Sequence, residues 1–372
     1  MTARYPVFAD EILAHFAARG AEMVEVPVIQ PADPFLDMAG EDLRRRIFLT
    51  ESETGETLCL RPEFTIPVCL DHIVNRSGTP RRYAYLGEVF RQRREGGAEF
   101  FQAGLEDLGE PDTAQADARS IADAYSLIAG LLPGSALAVT IGDQRVFEAV
   151  LAALGLPRGW QKRLARAFGS TEMLKSALAD LANPPGKARL PGNVARLVAT
   201  GDTAALAHHV SDQMEEAGIS PHAGRKPEEI ASRLIEKAAL ESVRLAPDAL
   251  SALEAFLSIR VPLRHAGDAL RDFAGNAGIS LGAALEAFGA RARVLAEHGL
   301  PEDVAHYDAG FGRPLDYYTG LVFEVSVPGG DRPLAGGGRY DRLLTLLGAE
   351  APIPGVGFSV WLDRVASLRG EA

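Results

Sequence analysis

The feature that most constrains this chain is a change of texture along it. Strand-like runs fill residues 1 to 155, nearly vanish between 157 and 300, and return from 303 to the end. A chain that resumes its alternation after a long helical interruption reads as one α+β domain carrying an insertion, with 1–156 and 301–372 forming the core and 157–300 inserted. In the first part, 11–19 has helical periodicity, 21–29 reads as a strand stopped by Pro31, and 46–60 reads as a hairpin turning at Glu53-Thr54-Gly55. A helix bracketed by Pro62 and Pro67 follows, then strands over 81–91 and 99–109 joined by a polar loop. A long helix over 113–131 and a strand-then-helix stretch over 136–154 close this part. Segments such as KRLARAF, EEIASRLIEKAALE and AALEAFGARARVLAEH make the middle block helical. The return consists of a strand LDYYTGLVFEVSV (315–327), a turn at Pro328-Gly329-Gly330, the run Gly336-Gly337-Gly338 and a final helix after Gly357.

Composition limits what such a chain does. With 372 residues, 47% hydrophobic and 24% charged, it can build a sizeable core, which excludes disordered, collagen-like and coiled-coil classes. A net charge of −12 does not suit a protein wrapped on nucleic acid or an anionic membrane. Cys59 and Cys69 stand in apolar surroundings without metal or disulfide spacing, so a reducing compartment is expected. No apolar run approaches the ~18 residues of a membrane span, and the N-terminus acquires acidic residues too early for a signal peptide. A cytoplasmic protein with no membrane partner is expected.

Common catalytic motifs are missing. LAGGGRYDRLL lacks the Lys-Ser/Thr of a phosphate-binding loop and reads as a turn. No GxGxxG joins a strand to a helix, and neither HExxH nor GxSxG occurs. His208, His209 and His222 have no spaced acidic or Cys partners, so no metal site is expected. No cofactor is expected either. A loop that would hold a pyrophosphate donor is also missing.

The informative residues lie far apart. In 99–109, alternation puts Gln102, Gly104 and Glu106 on one face, opposite Phe101, Ala103 and Leu105. Two polar arms then flank an empty floor, a ligand-binding pattern, although a solvated sheet face has the same alternation. In LDYYTGLVFEV, Tyr318, Gly320 and Val322 share a face, with Tyr317 and Thr319 opposite. Arg313 just upstream suits bidentate carboxylate capture. Tyr340 follows the glycine run, and LRPEFT supplies Glu63 and Thr65 ahead of a helix.

Taken in order, LRPEFT, YLGEVFR with FFQAGLEDLG, RPLDYYTGLVFE, AGGGRYDRL and GVGFSVWLDRV resemble the catalytic core of the histidyl-tRNA synthetase family. The resemblance implies a class II synthetase-like antiparallel sheet of roughly six or seven strands flanked by helices, a homodimer, and a histidine pocket. Glu63 and Thr65 would then face the α-amino group. Gln102 and Glu106 would line the ligand, with Glu106 near a ligand nitrogen. Arg313 matches the arginine beside the carboxylate, Tyr318 and Tyr340 the tyrosines around the ring, and Arg91 and Tyr317 complete the set.

Three departures separate the chain from a working synthetase. Arg93 replaces the glutamate of the Phe-Arg-x-Glu pattern, and only ten residues separate Arg91 from Gln102, shorter than the family's nucleotide loop. Trp361 takes a small residue's place three positions before Arg364. If both lie on the final helix, the indole projects where adenine would lie. Arg93, Trp361 and Arg364 thus read as a non-functional relic of a nucleotide site. Only eight residues follow Arg364, so no anticodon-binding domain is expected. These departures resemble the synthetase-like regulatory subunits of ATP phosphoribosyltransferase. That resemblance implies a non-catalytic chain that assembles with a short-form catalytic subunit, binds free histidine as feedback effector in the first step of histidine biosynthesis, and binds no nucleic acid. The alternative is an enzyme that still forms histidyl-adenylate without charging tRNA.

Overall fold

The computed structural model describes residues 5–38, 40–75, 78–93, 97–183, 190–219, 226–240, 245–301, 303–313, 315 and 317–371, without the side chains of 41, 42 and 239. Twelve strands are found among them: β1 (Glu22–Met23), β2 (Ile29–Pro31), β3 (Leu49–Glu51), β4 (Thr57–Leu60), β5 (Arg81–Phe90), β6 (Glu99–Leu108), β7 (Ala138–Asp143), β8 (Arg260–Pro262), β9 (Ala305–Asp308), β10 (Leu321–Ser326), β11 (Ala335–Arg339) and β12 (Gly355–Trp361). Nine of these form one sheet in the order β1-β5-β6-β12-β11-β10-β7-β9-β8, and β2-β4-β3 form a small second sheet. The run from β5 to β7 is antiparallel throughout, while β1 joins β5, and β9 joins β7, in parallel. The sheet therefore exceeds the strand number implied by the resemblance, because short strands extend both edges. It is the α+β, class II synthetase-like arrangement expected from the sequence.

The strand order explains the return of strand texture. Strands β10, β11 and β12 come late in the chain yet lie between β6 and β7, which come early. Neither stretch makes the sheet alone. One sheet face carries Ala103, Leu105, Phe323, Val325, Ala335, Phe358 and Val360 into a core closed by the Thr113–Leu131 helix through Ile121, Leu127 and Ile128. Asp112 caps that helix by accepting from the Gln115 N–H at 3.1 Å.

Four local readings are corrected. Residues 21–29 are not one strand: β1 and β2 belong to different sheets. Pro27 has no N–H for a ladder, and the connecting carbonyls of Pro27 and Val28 are taken by Gln30 Nε2 and the Arg61 N–H. The glycine run is strand β11, not a turn. In LDYYTGLVFEV the strand begins only at Leu321, after a turn in which the Tyr318 N–H donates to Leu315 O at 3.3 Å. The final helix is Leu362–Arg369, so Trp361 ends strand β12 instead of lying on the helix.

Helices occupy most of 158–297, and β8 is the strand among the described residues there. Trp160, Phe168, Phe256, Phe273 and Phe288 of these helices share a core with Phe147 and Tyr307, and Phe147 stacks on Phe168 at 4.2 Å between centroids. Among the described residues no helix is long and apolar enough to cross a membrane.

A buried ionic cluster fastens the Gly282–Glu297 helix to the sheet. Arg291 gives Nε to Asp117 Oδ2 at 2.6 Å and Nη1 to Asp143 Oδ2, while Arg339 gives Nε to Asp117 Oδ1 at 2.7 Å. Asp143 also caps the next helix, accepting from the Arg145 and Val146 N–H groups. Burial works to lower the Arg291 pKa, but Asp143 and Asp117 outweigh it and raise the value. Removing one partner of such a cluster leaves buried charge uncompensated, at about 3–5 kcal/mol. Arg291→Ala is therefore expected to cost that much in urea denaturation. A loss below about 1 kcal/mol, the range of exposed pairs, would show that the cluster does not anchor the helix.

Candidate functional site

The sheet face opposite the core is built on the strand register. Gln102 pairs with Trp361 and Gly87, Gly104 with Ser359 and Tyr85, and Glu106 with Gly357 and Tyr83. Beyond β12, Ser359 pairs with Gly336 and Gly357 with Gly338, and across β11 these meet Glu324 and Val322. Several central positions on this face thus carry no side chain. A Cβ on Gly336 would lie 2.0 Å from Arg313 Nη1, and one on Gly357 would lie 1.8 Å from Glu106 Oε2. Their absence lets neighbouring polar groups lean over the sheet and leaves a cavity of about 270 Å³ above it.

Glu63, Thr65, Arg91, Gln102, Arg313, Tyr317, Tyr318 and Tyr340 line this cavity, and so do Arg93, Trp361 and Arg364. Five stretches distant in sequence thus converge. Tyr317 and Tyr318 both line it instead of pointing to opposite faces, because they precede the strand.

Glu106 lies behind the cavity wall. It is 1% exposed and is surrounded by hydroxyls: Thr65 Oγ1 donates to Oε1 at 2.7 Å, Tyr340 to Oε2, and Tyr85 more distantly at 3.5 Å. Burial pushes its pKa up to about 8, against those hydrogen bonds. Glu63 spends its oxygens differently, accepting from the Thr65 N–H at 2.7 Å and the Ile66 N–H at 2.9 Å, and so caps the Thr65–Val74 helix. Burial also raises the Glu63 pKa.

Gln102 stands apart. Its side chain is in a residue 1% exposed, lines the cavity, and neither its amide nitrogen nor its carbonyl oxygen has a hydrogen-bond partner. Leaving a buried polar group unsatisfied costs about 1–3 kcal/mol, and this amide is open to hydrogen bonding from the cavity side. Arg313 Nε is likewise buried and unpartnered, while its Nη1 donates to Glu324 at 2.6 Å.

The outer part of the cavity is basic and aromatic. The Arg364 guanidinium lies 4.4 Å from the Trp361 ring centroid and that of Arg313 lies 5.6 Å away. Arg364 donates to Pro333 O, and Arg93 lies over Phe100 and pairs with Asp363 at 3.0 Å. Arg91 donates to Pro62 O at 2.6 Å, and burial lowers its pKa to about 10. Trp361 fills space beside Arg364, although it does so from a strand end and not through helical spacing. Residues 94–96 of the shortened loop lie outside the described residues.

Sequence reading missed Glu324, Tyr85, Ser359 and Arg46. Glu324 was visible as the one charge in the apolar run of β10, on the face of Val322. Tyr85 and Ser359, joined at 2.7 Å, emerge only from the register across β6, and Arg46 carried no local signal. Among the described residues no cluster of His, Cys, Asp or Glu suits a metal; His208 faces Asp212 at 3.8 Å, and His222 lies outside them.

The chain matches the family model of histidyl-tRNA synthetase over residues 2–219 and 216–365. It is 68% identical, over the full length of both chains, to an ATP phosphoribosyltransferase regulatory subunit of Mesorhizobium japonicum. It is 67% identical to that of a Chelativorans species, again over 100% of each chain, and 60% identical to that of Agrobacterium fabrum over 98% of each. Among solved structures it resembles an ATP phosphoribosyltransferase regulatory subunit/histidyl-tRNA synthetase from Bacillus halodurans, with a TM-score of 0.64 at 23% identity, covering 97% of this chain and 78% of the other. It also resembles a histidine–tRNA ligase subunit from Alicyclobacillus acidocaldarius, with a TM-score of 0.57 at 24% identity, covering 100% and 96%. These two structures speak to the fold.

The raised pKa of Glu106 has a thermodynamic consequence. Its folded value of about 8 exceeds the ordinary carboxyl value of 4.5, so the folded state holds this proton where the unfolded state has released it. Its contribution to stability is full below pH 4.5 and falls as pH rises toward about 8. Glu106→Gln, which cannot ionise, is expected to flatten the fall in urea-measured stability between pH 5 and pH 8, about the limits of that window. An unchanged slope would mean that Glu106 stays ionised throughout.

Proposed function

The chain belongs to the histidyl-tRNA synthetase-like family of ATP phosphoribosyltransferase regulatory subunits, and on that premise we propose that it serves as the regulatory subunit of an ATP phosphoribosyltransferase, acting in histidine biosynthesis. The catalytic work belongs to a separate short-form subunit, and this chain turns over no substrate alone. Free histidine, bound in the inner cavity, is its feedback effector.

The observation that carries the effector site is the orphaned Gln102 amide in the cavity wall. A donor and an acceptor side by side fit an imidazole, which in its neutral form has one nitrogen of each kind. Glu63 has lone pairs left for an ammonium beyond those used by the Thr65 and Ile66 N–H groups. A ligand carboxylate meets Arg313 through its unpartnered Nε and competes with Glu324 for the rest. Tyr317, Tyr318 and Tyr340 supply aromatic walls, and Glu106 fixes the Tyr340 and Thr65 hydroxyls from behind. Trp361, 7% exposed, stands against nucleotide binding next to Arg364, so adenylate formation is the disfavoured chemistry.

Occupying this cavity joins segments from both sides of the middle block, namely Glu63 and Gln102 on one side, Arg313, Tyr318 and Tyr340 on the other. A ligand shifts a conformational equilibrium only through different affinity for the two states. Segments drawn together by histidine provide that difference.

Purified chain is expected to show no ATP phosphoribosyltransferase turnover and no histidine-dependent ATP–pyrophosphate exchange, with turnover appearing when the short catalytic subunit is added. Turnover by the chain alone, or robust exchange, would overturn the regulatory reading. In calorimetry, Gln102→Ala is expected to weaken histidine binding at least about tenfold, roughly 1.4 kcal/mol, and to blunt feedback inhibition of the assembled complex. Wild-type affinity in that variant would remove this cavity from regulation. The core is also proposed to dimerise, supported by the exposed apolar side chains Met23, Val28, Ile29 and Leu49. Light scattering should give twice the 39.7 kDa chain mass, and a single-chain mass at micromolar concentration would refute the dimer.

A further inference from the structure

A second cavity of about 570 Å³ lies against the first and shares Arg313, Leu315 and Tyr318 with it. Its other wall is the Arg158–Ala167 helix, RGWQKRLARA, which contains four cationic residues and no acidic one. Arg163 turns away to Asp180, but Arg158, Lys162 and Arg166, spaced at i, i+4 and i+8, all line the cavity, and Arg342 joins them from across it. Five cations, Arg313 included, thus face two carboxylates, Asp37 and Glu148. Arg166 also reaches Glu236 at 3.7 Å, and Arg313 is held by Glu324. Among the described residues no carboxylate lies within ion-pair distance of Arg158, Lys162 or Arg342.

Two further observations make this more than a solvated face. The chain carries −12 net charge, so a hollow in which cations outnumber carboxylates runs against its overall composition. Arg158 also occupies the first turn of its helix, where the dipole disfavours a cation and an approaching anion relieves the mismatch. The volume falls within the range of small-molecule sites, and the concave shape favours a compact ligand over a flat protein partner.

We infer that this outer cavity binds a phosphate-bearing small molecule with several negative charges, held by Arg158, Lys162 and Arg342 and bordered by Arg313. Guanidinium forks and an ammonium arranged around a hollow suit a pyrophosphate or polyphosphate group, in which each phosphate offers acceptors to more than one donor. The site does not require histidine in the inner cavity, and each can fail without the other.

The test is a titration of the full chain with inorganic pyrophosphate, without histidine, by calorimetry and phosphorus NMR at low and physiological salt. Binding is expected, weakening as salt rises. The Arg158→Ala/Lys162→Ala double variant changes two exposed side chains, so its melting temperature should match the wild type while pyrophosphate affinity falls at least about tenfold. Absence of binding at millimolar pyrophosphate would overturn the inference. So would wild-type affinity in the double variant, which would place the anion among the inner arginines. If pyrophosphate fails to bind but the double variant loses its hold on the catalytic subunit, the hollow is a protein contact and the inference is wrong.

Discussion

Everything about the inner cavity depends on a sheet face whose middle lacks side chains. A ligand can lie over the centre of an antiparallel sheet only where residues on that face leave room, and here Gly104, Gly336, Gly338 and Gly357 do so in adjacent register positions. The room is then partly occupied by side chains leaning in from neighbouring segments: Tyr85 over Gly104, Arg313 over Gly336, Tyr318 over Gly338 and Glu106 over Gly357. The glycines determine which polar groups approach one another, and a methyl at Gly336 or Gly357 would displace the very group that gives the cavity its character. This is also why the run at 336–338 is a strand despite its turn-like composition. Close tertiary approach outweighs local propensity.

Much of this was legible in the sequence, and the parts that were not share a cause. The helix over 113–131, the hairpin ending at Leu60 and the long pair β5–β6 follow from alternation and periodicity alone. The common face of Gln102, Gly104 and Glu106 follows from the two-residue period of a strand. Alternation fails at Tyr317 and Tyr318 because it applies only inside a strand, and β10 starts later. Trp361 lies beside Arg364, but from the end of a strand, so helical spacing is not what brings the two together. Tyr85 and Ser359 required the order of strands in the sheet, which no local pattern contains.

The charges are sorted by depth. Glu63 and Glu106 are buried and meet only hydroxyls and backbone N–H groups at hydrogen-bond distance; burial favours their protonation, and the donated hydrogen bonds oppose it. Arginines surround the mouth of the inner cavity and are held in place by carbonyl oxygens and rings as much as by carboxylates. The acidic balance of the whole chain hides this local reversal. Net charge describes the average surface and says little about a hollow.

The interleaved strand order also bears on biosynthesis. As the chain leaves the ribosome, β6 acquires β5 on one side at once, but its other neighbour, β12, is made only after the whole helical stretch and β11. Until then the edge of β6 that will meet β12 has no ladder partner, and an unpaired strand edge on a growing chain invites pairing with the wrong neighbour. Closing this sheet requires contacts of long sequence separation, which slow folding. The sheet face under the inner cavity is therefore among the last parts of the molecule to come into existence. A nascent chain stalled before β12 would leave this edge of β6 open, a natural point for chaperone engagement.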